Sequence, residues 1–234
     1  RLAREIAPGC AVTSYEIDPE VLQAFPPRDL TLRQQDYLTG PWEERYDAIV
    51  CNPPYRRFQG IPDREALRRE VEARSGVPCP KYMNLCTLFL TKSICQLAPG
   101  GRLAYVLPTE FLHAAYARGL RARILREGLL RAMIRIRQDR DLFPGAVTTC
   151  CILLLDRRPK DGARFVSQDR LEELAGRSLE DLPGRTVSPE DMAPEGSWMP
   201  YFAGPEEPVY KNLVPTARFF RAGRGIATGA NDYF

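Results

Sequence analysis

The sequence contains a single histidine, His113, and none of its seven cysteines forms a Cys-x-x-Cys pair. Zinc sites in proteins are built mainly from closely spaced cysteines and histidines, and serine or cysteine nucleophiles usually depend on a histidine base. The sequence therefore offers the parts of neither a zinc site nor a histidine-based nucleophilic pair. We expect any chemistry here to proceed without a metal ion and without an imidazole.

The sequence also lacks a signal peptide, an internal repeat and an apolar run long enough to cross a bilayer, which predicts a soluble, cytoplasmic protein. Cys51, Cys150 and Cys151 lie in apolar runs, which is typical of reduced thiols that pack as small hydrophobic residues. Charge is nearly balanced, with 33 Lys and Arg against 30 Asp and Glu. A net charge of +3 does not by itself indicate a nucleic-acid partner.

The length of the chain and its alternating strand and helix patterns predict an α/β protein. The chain has 234 residues, of which 44% are hydrophobic, enough for one α/β domain and an appendage. Short β-branched runs alternate with helical stretches, which predicts a mostly parallel sheet with helices on both faces. We expect helices at 83–97, near 64–74 and at 169–175. The predicted strands are 11–17, 30–34, 47–51, 102–107, 130–136, 148–155 and, less clearly marked, 164–167.

The organisation along the chain changes after residue 158, where the alternating pattern weakens. We predict a catalytic domain over 1–158, a Pro-rich connector over 159–208 and the start of a further domain over 209–234. The first residue, Arg1, falls in a predicted helix at 1–6, and residues 231–234 end within a motif. These features favour the interpretation that the sequence is a fragment of a longer chain.

The strongest motif is Asn52-Pro53-Pro54-Tyr55, which directly follows the predicted strand 47–51. Ligands of open parallel sheets bind beyond the carboxyl ends of the strands. Two prolines hold the backbone extended, so the Asn52 amide and the Pro53 carbonyl can converge on one amino group and favour the positively charged transition state of methyl transfer. Tyr55 can stack on the substrate ring. An ordinary proline-rich turn is the alternative.

Two other predicted strand ends carry acids. Glu16 ends the run 11–17, and Asp36 follows the run 30–34. An acidic side chain at the end of a strand in a Rossmann-like sheet, such as Glu16, can accept hydrogen bonds from the ribose hydroxyls of a nucleoside cofactor, with a solvated strand end as the alternative. In this order and spacing, the three strand ends predict one shared crevice.

These motifs together resemble the N6-adenine DNA methyltransferases that carry Asn-Pro-Pro-Tyr and whose recognition domain follows the catalytic domain. The resemblance extends over nearly the whole chain. It implies a Rossmann-like fold, S-adenosyl-L-methionine as cofactor and double-stranded DNA as substrate, with the target base flipped out of the helix. It also implies a restriction-modification or phage-defence system, with a linked or separate restriction endonuclease.

The resemblance assigns roles to individual residues. Asn52 and Pro53 would polarise the target amine within the motif that includes Pro54, while Tyr55 and Phe143 would hold the base. The cofactor would be held by Glu16 at the ribose, by Asp36 at the adenine amine and by Phe89 at the adenine ring. Phe89 and Phe143 also have structural alternatives, because Phe89 suits a helix core and Phe143 suits a loop over the core.

The sequence departs from this family at its amino end, since the glycine-rich cofactor loop would precede Arg1. We therefore expect the chain alone to bind cofactor poorly. At the other end, 223–232 resembles the entry to the recognition domain, with a flexible hinge as the alternative. Glycine and arginine in this stretch would approach DNA phosphates.

Other functions remain open at this level. Protein-glutamine methyltransferases share the Asn52 to Tyr55 motif, and RNA adenine methylation uses the same chemistry. The long insertion after Tyr55 and the carboxyl-terminal element favour DNA over protein. A non-catalytic DNA-binding subunit is a further alternative, which the intact motif disfavours.

Overall fold

A computed structural model of the protein describes residues 9–24, 30–55, 63–137, 149–193, 196–203, 214–221 and 223. The predicted helix at 1–6 and Phe143 lie outside these ranges, as does most of 209–234. The chain divides into two compact units, residues 1–202 and 203–234. The described part of the second unit holds one 3-10 turn, Thr216–Arg218, which is followed by two exposed aromatic residues, Phe219 and Phe220.

The strands of the first unit form two sheets. A parallel pair, β1 and β2, aligns Glu16 with Gln34 at its carboxyl end. A six-stranded sheet has the order β3-β4-β6-β5-β7-β8. The strands are β1 (Thr13–Glu16), β2 (Thr31–Gln34), β3 (Tyr46–Cys51), β4 (Leu97–Pro108), β5 (Leu130–Ile136), β6 (Cys150–Asp156), β7 (Ala163–Gln168) and β8 (Gly184–Val187).

The larger sheet is mixed, so the expectation of a mostly parallel sheet is not confirmed for the described strands. Three of its five strand pairings are antiparallel, because β6 runs against both neighbours and β8 runs against β7. The short link 157–162 joins β6 to β7. A parallel crossover needs a dozen or more residues, so this link can only reverse the chain.

The predicted connector contributes to the same sheet. Within 159–208, β7 pairs parallel with β5, and β8 continues the sheet beyond it. The prediction of a helix at 169–175 is wrong, since only a 3-10 turn, Leu171–Leu174, forms there. None of the residues of this turn is buried. Leu174 packs against the core but Leu171 is exposed, so those residues have too small an apolar face to gain much from a longer helix. The boundaries of the three predicted domains remain a prediction.

Four α-helices are described: α1 (Pro19–Ala24), α2 (Arg64–Ser75), α3 (Leu85–Cys95) and α4 (Arg118–Arg126). Helix α3 is buried nearly all round, which is typical of a central helix packed between other layers. It ends at Cys95, and strand β4 starts two residues later, at Leu97. Gly101 permits the close approach of that strand to β3, since a Cβ there would lie 3.0 Å from the Tyr46 carbonyl oxygen.

The main core lies between the sheet, helices α3 and α4, and the stretch after β8. Trp198 is fully buried and meets Phe111 and Phe165 edge-on, with ring centroids 6.2 and 6.4 Å away. Its backbone N–H donates to the Leu112 carbonyl at 2.8 Å. Residues 196–202 are thus packed into the first unit. None of the described helices is long and apolar enough to span a bilayer.

Candidate active site

The Asn52-Pro53-Pro54-Tyr55 segment leaves the carboxyl end of β3, as the sequence predicts. Asn52 and Pro54 are exposed, whereas Pro53 is buried and Tyr55 packs against the main core. Within the described part of the chain the Asn52 amide makes no hydrogen bond. The segment therefore presents an amide to solvent from a backbone that is anchored on both sides.

The two candidate cofactor carboxylates are each oriented by backbone N–H groups. One oxygen of Glu16 accepts from the N–H groups of Ile17 and Asp18, at 2.8 and 2.9 Å. One oxygen of Asp36 accepts from the Leu38 N–H at 2.8 Å. The second oxygen of each carboxylate makes no hydrogen bond to the described residues, so each can accept from a ligand.

Phe89 lies on α3, half-buried between the two larger core clusters. Its ring is tilted by 36° against the Tyr37 ring at a centroid distance of 5.3 Å, and Tyr37 in turn meets Tyr15 edge-on at 5.2 Å. Tyr15 precedes Glu16, and Tyr37 follows Asp36. The aromatic row therefore brings Phe89 to the same region as both carboxylates.

A chain of buried polar groups connects this region to β3. The Tyr37 hydroxyl hydrogen bonds to the Ser93 hydroxyl at 2.8 Å, and Ser93 bonds to the Tyr105 hydroxyl at 2.6 Å. Tyr105 interacts with the thiol of Cys51, the residue before Asn52. The structure thus links the cofactor candidates Asp36 and Phe89 with the Asn52 segment. Phe143 lies outside the described residues, so its predicted role is still a prediction.

The tyrosine hydroxyls and the cysteine thiol that the structure describes around Asn52 do not act as bases at neutral pH. Burial raises the pKa of the Tyr55, Tyr37 and Tyr105 hydroxyls and of the Cys51 thiol. These groups therefore stay protonated near pH 7. Asn52 carries an amide, which accepts hydrogen bonds but does not take up a proton. The arrangement suits a reaction in which the nucleophile needs no deprotonation before attack.

Three polar residues near the site were not singled out from the sequence. Lys92 is fully buried in α3, where a helical lysine would ordinarily be assigned to the solvent side. Asn84 caps α3 by accepting from the Thr87 N–H at 3.0 Å, a role that its position before an apolar helical run could have indicated. The Thr109 hydroxyl, just after β4, is buried with no partner among the described residues.

The described residues contain no group of three or more His, Cys, Asp or Glu side chains placed to hold a metal ion. Cys51, Cys79, Cys86, Cys95 and Cys151 form no disulfide. Phe89, Glu16 and Asp36 are instead the aromatic and acidic residue types that bind a nucleoside.

Solved structures share this fold. A putative class I S-adenosylmethionine-dependent methyltransferase from Listeria monocytogenes superposes on 73% of this chain, and on 53% of its own, with a TM-score of 0.55 at 14% identity. The type IIG restriction endonuclease BpuSI superposes on 72% of this chain, and on 22% of its own, with a TM-score of 0.56 at 15% identity. The chain therefore has the Rossmann-like α/β fold found in such methyltransferases.

The family follows from sequence comparison. Residues 19–143, more than half of the chain, match the model of the Eco57I restriction-modification methylase family. The chain belongs to this family. The family assignment confirms the resemblance seen in the motifs.

Curated relatives of this chain are type II methyltransferases. Type II methyltransferase M.AccI from Acinetobacter calcoaceticus is 33% identical over 230 residues, covering 95% of this chain. Type II methyltransferase M.HincII from Haemophilus influenzae is 25% identical over 174 residues, covering 73% of this chain. The chain spans 42% and 33% of the lengths of these two relatives.

Proposed function

We propose that this chain is the catalytic part of a DNA methyltransferase that transfers a methyl group from S-adenosyl-L-methionine to the N6 amine of adenine. The observation that carries the proposal is the exposed Asn52 amide at the carboxyl end of β3, within Asn-Pro-Pro-Tyr. Membership of a restriction-modification methylase family supports double-stranded DNA as the substrate and a restriction endonuclease as a linked or separate partner.

The residues present fit the cofactor. Glu16 and Asp36 each keep one carboxylate oxygen available to accept hydrogen bonds, and Phe89 provides an aromatic surface beside Asp36. These three residues would hold the ribose, the adenine amine and the adenine ring. When bound, the cofactor supplies an electrophilic methyl group on a sulfonium sulfur.

Asn52 and Pro53 would act on the target amine. The lone pair of an aromatic amine is delocalised into the ring, so the nitrogen is a poor nucleophile. Two acceptors, the Asn52 side-chain oxygen and the Pro53 carbonyl, would bind its two N–H groups and stabilise the positive charge that develops on the nitrogen. The excess proton leaves after transfer, because the Tyr55, Tyr37 and Tyr105 hydroxyls and the Cys51 thiol near the site stay protonated and cannot remove it earlier.

Tyr55 would hold the flipped base by stacking. Its ring is anchored in the main core, so it offers a fixed surface rather than one ordered only on binding. A rigid aromatic surface compensates in part for the stacking that the base loses on leaving the duplex. We assign the same role to Phe143 by resemblance.

The test is methyl transfer from labelled S-adenosylmethionine to duplex DNA, RNA or protein, with the full-length protein that carries this sequence and with its Asn52→Ala variant. We expect label in DNA with the wild type and at least a hundredfold less with the variant, as for loss of one preorganised acceptor. Label in protein or RNA alone would contradict the proposal, as would full activity of the variant.

A further inference from the structure

The side chain of Lys92 is fully buried and is placed by α3 against the loop that follows β2. Its ammonium donates to the carbonyl oxygens of Tyr37 at 2.5 Å, Gly40 at 2.7 Å and Leu38 at 3.4 Å. It also lies 4.9 and 5.0 Å from the ring centroids of Tyr37 and Trp42. The ammonium forms no ion pair within the described part of the chain.

Burying an ammonium without a carboxylate partner is unfavourable, and an apolar side chain would fill the same space at lower cost. What the ammonium adds is three donors directed at a single loop. Backbone carbonyls left unpaired in this interior would each be destabilising, so the loop keeps its conformation as long as Lys92 is present. Lys92 therefore fixes the loop 37–42 to helix α3.

That loop determines the orientation of Asp36. The Asp36 carboxylate accepts from the Leu38 N–H, and the Asp36 carbonyl accepts from the Gly40 N–H at 3.0 Å. The residues that hold Asp36 thus carry two of the three carbonyls that Lys92 binds. A change in the path of this loop would redirect the carboxylate.

Two further contacts fasten the same loop to Gln96, the residue that follows α3. The Tyr37 hydroxyl donates to the Gln96 side-chain oxygen at 2.6 Å, and the Gln96 amide donates to the Pro41 carbonyl at 3.0 Å. Helix α3 also carries Phe89, whose ring contacts Tyr37. One helix therefore sets the positions of both Asp36 and Phe89.

We propose that Lys92 is a positioning residue that holds the loop 37–42 on α3, so that Asp36 and Phe89 bind the adenine moiety of the cofactor together. The proposal rests on the proposed function, because it takes S-adenosylmethionine as the ligand of Asp36 and Phe89. Because Lys92 is fully buried, we assign it no direct contact with cofactor or substrate. It lowers the entropic cost of binding by keeping the recognition groups in place before the cofactor arrives.

The test compares Lys92→Met with Lys81→Met in the full-length protein. Lys81 is exposed, so its variant is a matched control for the loss of one lysine. Binding of S-adenosylhomocysteine is measured by calorimetry, and turnover is measured separately at varied cofactor and varied DNA. For Lys92→Met we expect about tenfold weaker binding and a raised KM for cofactor, as for lost preorganisation, with the KM for DNA unchanged. Lys81→Met should behave as wild type.

Hydrogen exchange on the unliganded wild type tests the same idea without any variant. The amides of Leu38 and Gly40 donate to Asp36, and they should already be protected before cofactor is added, since Lys92 and Gln96 hold the loop without the cofactor. Rapid exchange of these amides would overturn the proposal even if Lys92→Met failed to fold. A folded Lys92→Met protein that binds S-adenosylhomocysteine as tightly as wild type would also overturn it. A wild type that binds none would overturn the proposed function as well.

Discussion

Replacing Asn84 by alanine should destabilise the helix that carries Phe89 and Lys92. The Asn84 side-chain oxygen accepts from the N–H and the hydroxyl of Thr87, at 3.0 and 2.5 Å, and from the Cys86 thiol at 3.1 Å. Its amide nitrogen donates to the Tyr116 hydroxyl at 2.9 Å. A single oxygen thus serves three donors at the start of α3.

The expected loss in the free energy of unfolding follows from the burial of those donors. Loss of an amino-terminal cap costs about 1 kcal/mol. Thr87 is fully buried, so its hydroxyl would be left without water as a substitute, which adds roughly 1 to 2 kcal/mol. Tyr116 is half-buried and can turn to water, so its contribution is small. We expect Asn84→Ala to lower the free energy of unfolding by about 2 to 3 kcal/mol.

Urea denaturation followed by tryptophan fluorescence measures this loss as a lower midpoint at unchanged slope. Asn84→Asp is the matched control, because a carboxylate keeps the acceptor and is favourable at a helix amino end. Its stability should stay within about 1 kcal/mol of wild type. The reasoning would be refuted by a loss below about 0.5 kcal/mol in Asn84→Ala, or by equal losses in both variants.

Three further outcomes are expected. Tyr55→Ala should lower the rate of methyl transfer by about 10- to 100-fold through lost stacking, while Tyr55→Phe should retain most of the activity. Equal steady-state activities of these two variants would contradict the stacking role. Thr109→Val should keep or raise stability, by up to about 1 to 3 kcal/mol, because it removes a buried hydroxyl with no described partner; a lower urea midpoint would contradict this. Desolvation lowers the pKa of Lys92 from 10.5 to about 8. Between pH 8 and pH 10 the Lys92 amine therefore binds more protons in the unfolded chain than in the folded one. The contribution of Lys92 to the free energy of unfolding then rises with pH. The stability of wild type relative to Lys92→Met should therefore increase from pH 8 to pH 10, and a flat or falling difference would count against the assigned environment.

Much of the sheet could be predicted because its inner strands carry continuous apolar, β-branched runs. The predicted strand 130–136 matches β5, and the predicted strand 47–51 differs from β3 by one residue. Strand β8, Gly-Arg-Thr-Val, was missed because a short strand at the edge of a sheet buries only Val187 and shows no alternation. The antiparallel direction of β6 was missed as well, since strand direction depends on pairing partners far along the chain.

Some residues of the candidate site could be predicted from the sequence, and others could not. Asn52, Glu16 and Asp36 could be proposed because ligands of α/β folds bind beyond the carboxyl ends of strands, and the structure places the three residues at or just after the ends of β3, β1 and β2. The contacts of Lys92 could not be predicted, since the orientation of a helical lysine depends on a loop more than fifty residues earlier in the sequence. The buried Tyr37, Ser93 and Tyr105 hydroxyls likewise depend on packing between distant segments.

The central claim is methylation of adenine at N6, and nucleoside analysis of the product tests it most directly. Duplex DNA of mixed sequence is incubated with S-adenosylmethionine and the full-length protein, digested to nucleosides and analysed by mass spectrometry, beside a reaction with the Asn52→Ala variant. We predict N6-methyladenine from the wild type and essentially none from the variant. A methylated nucleoside other than N6-methyladenine, or undiminished product from the variant, would contradict the account.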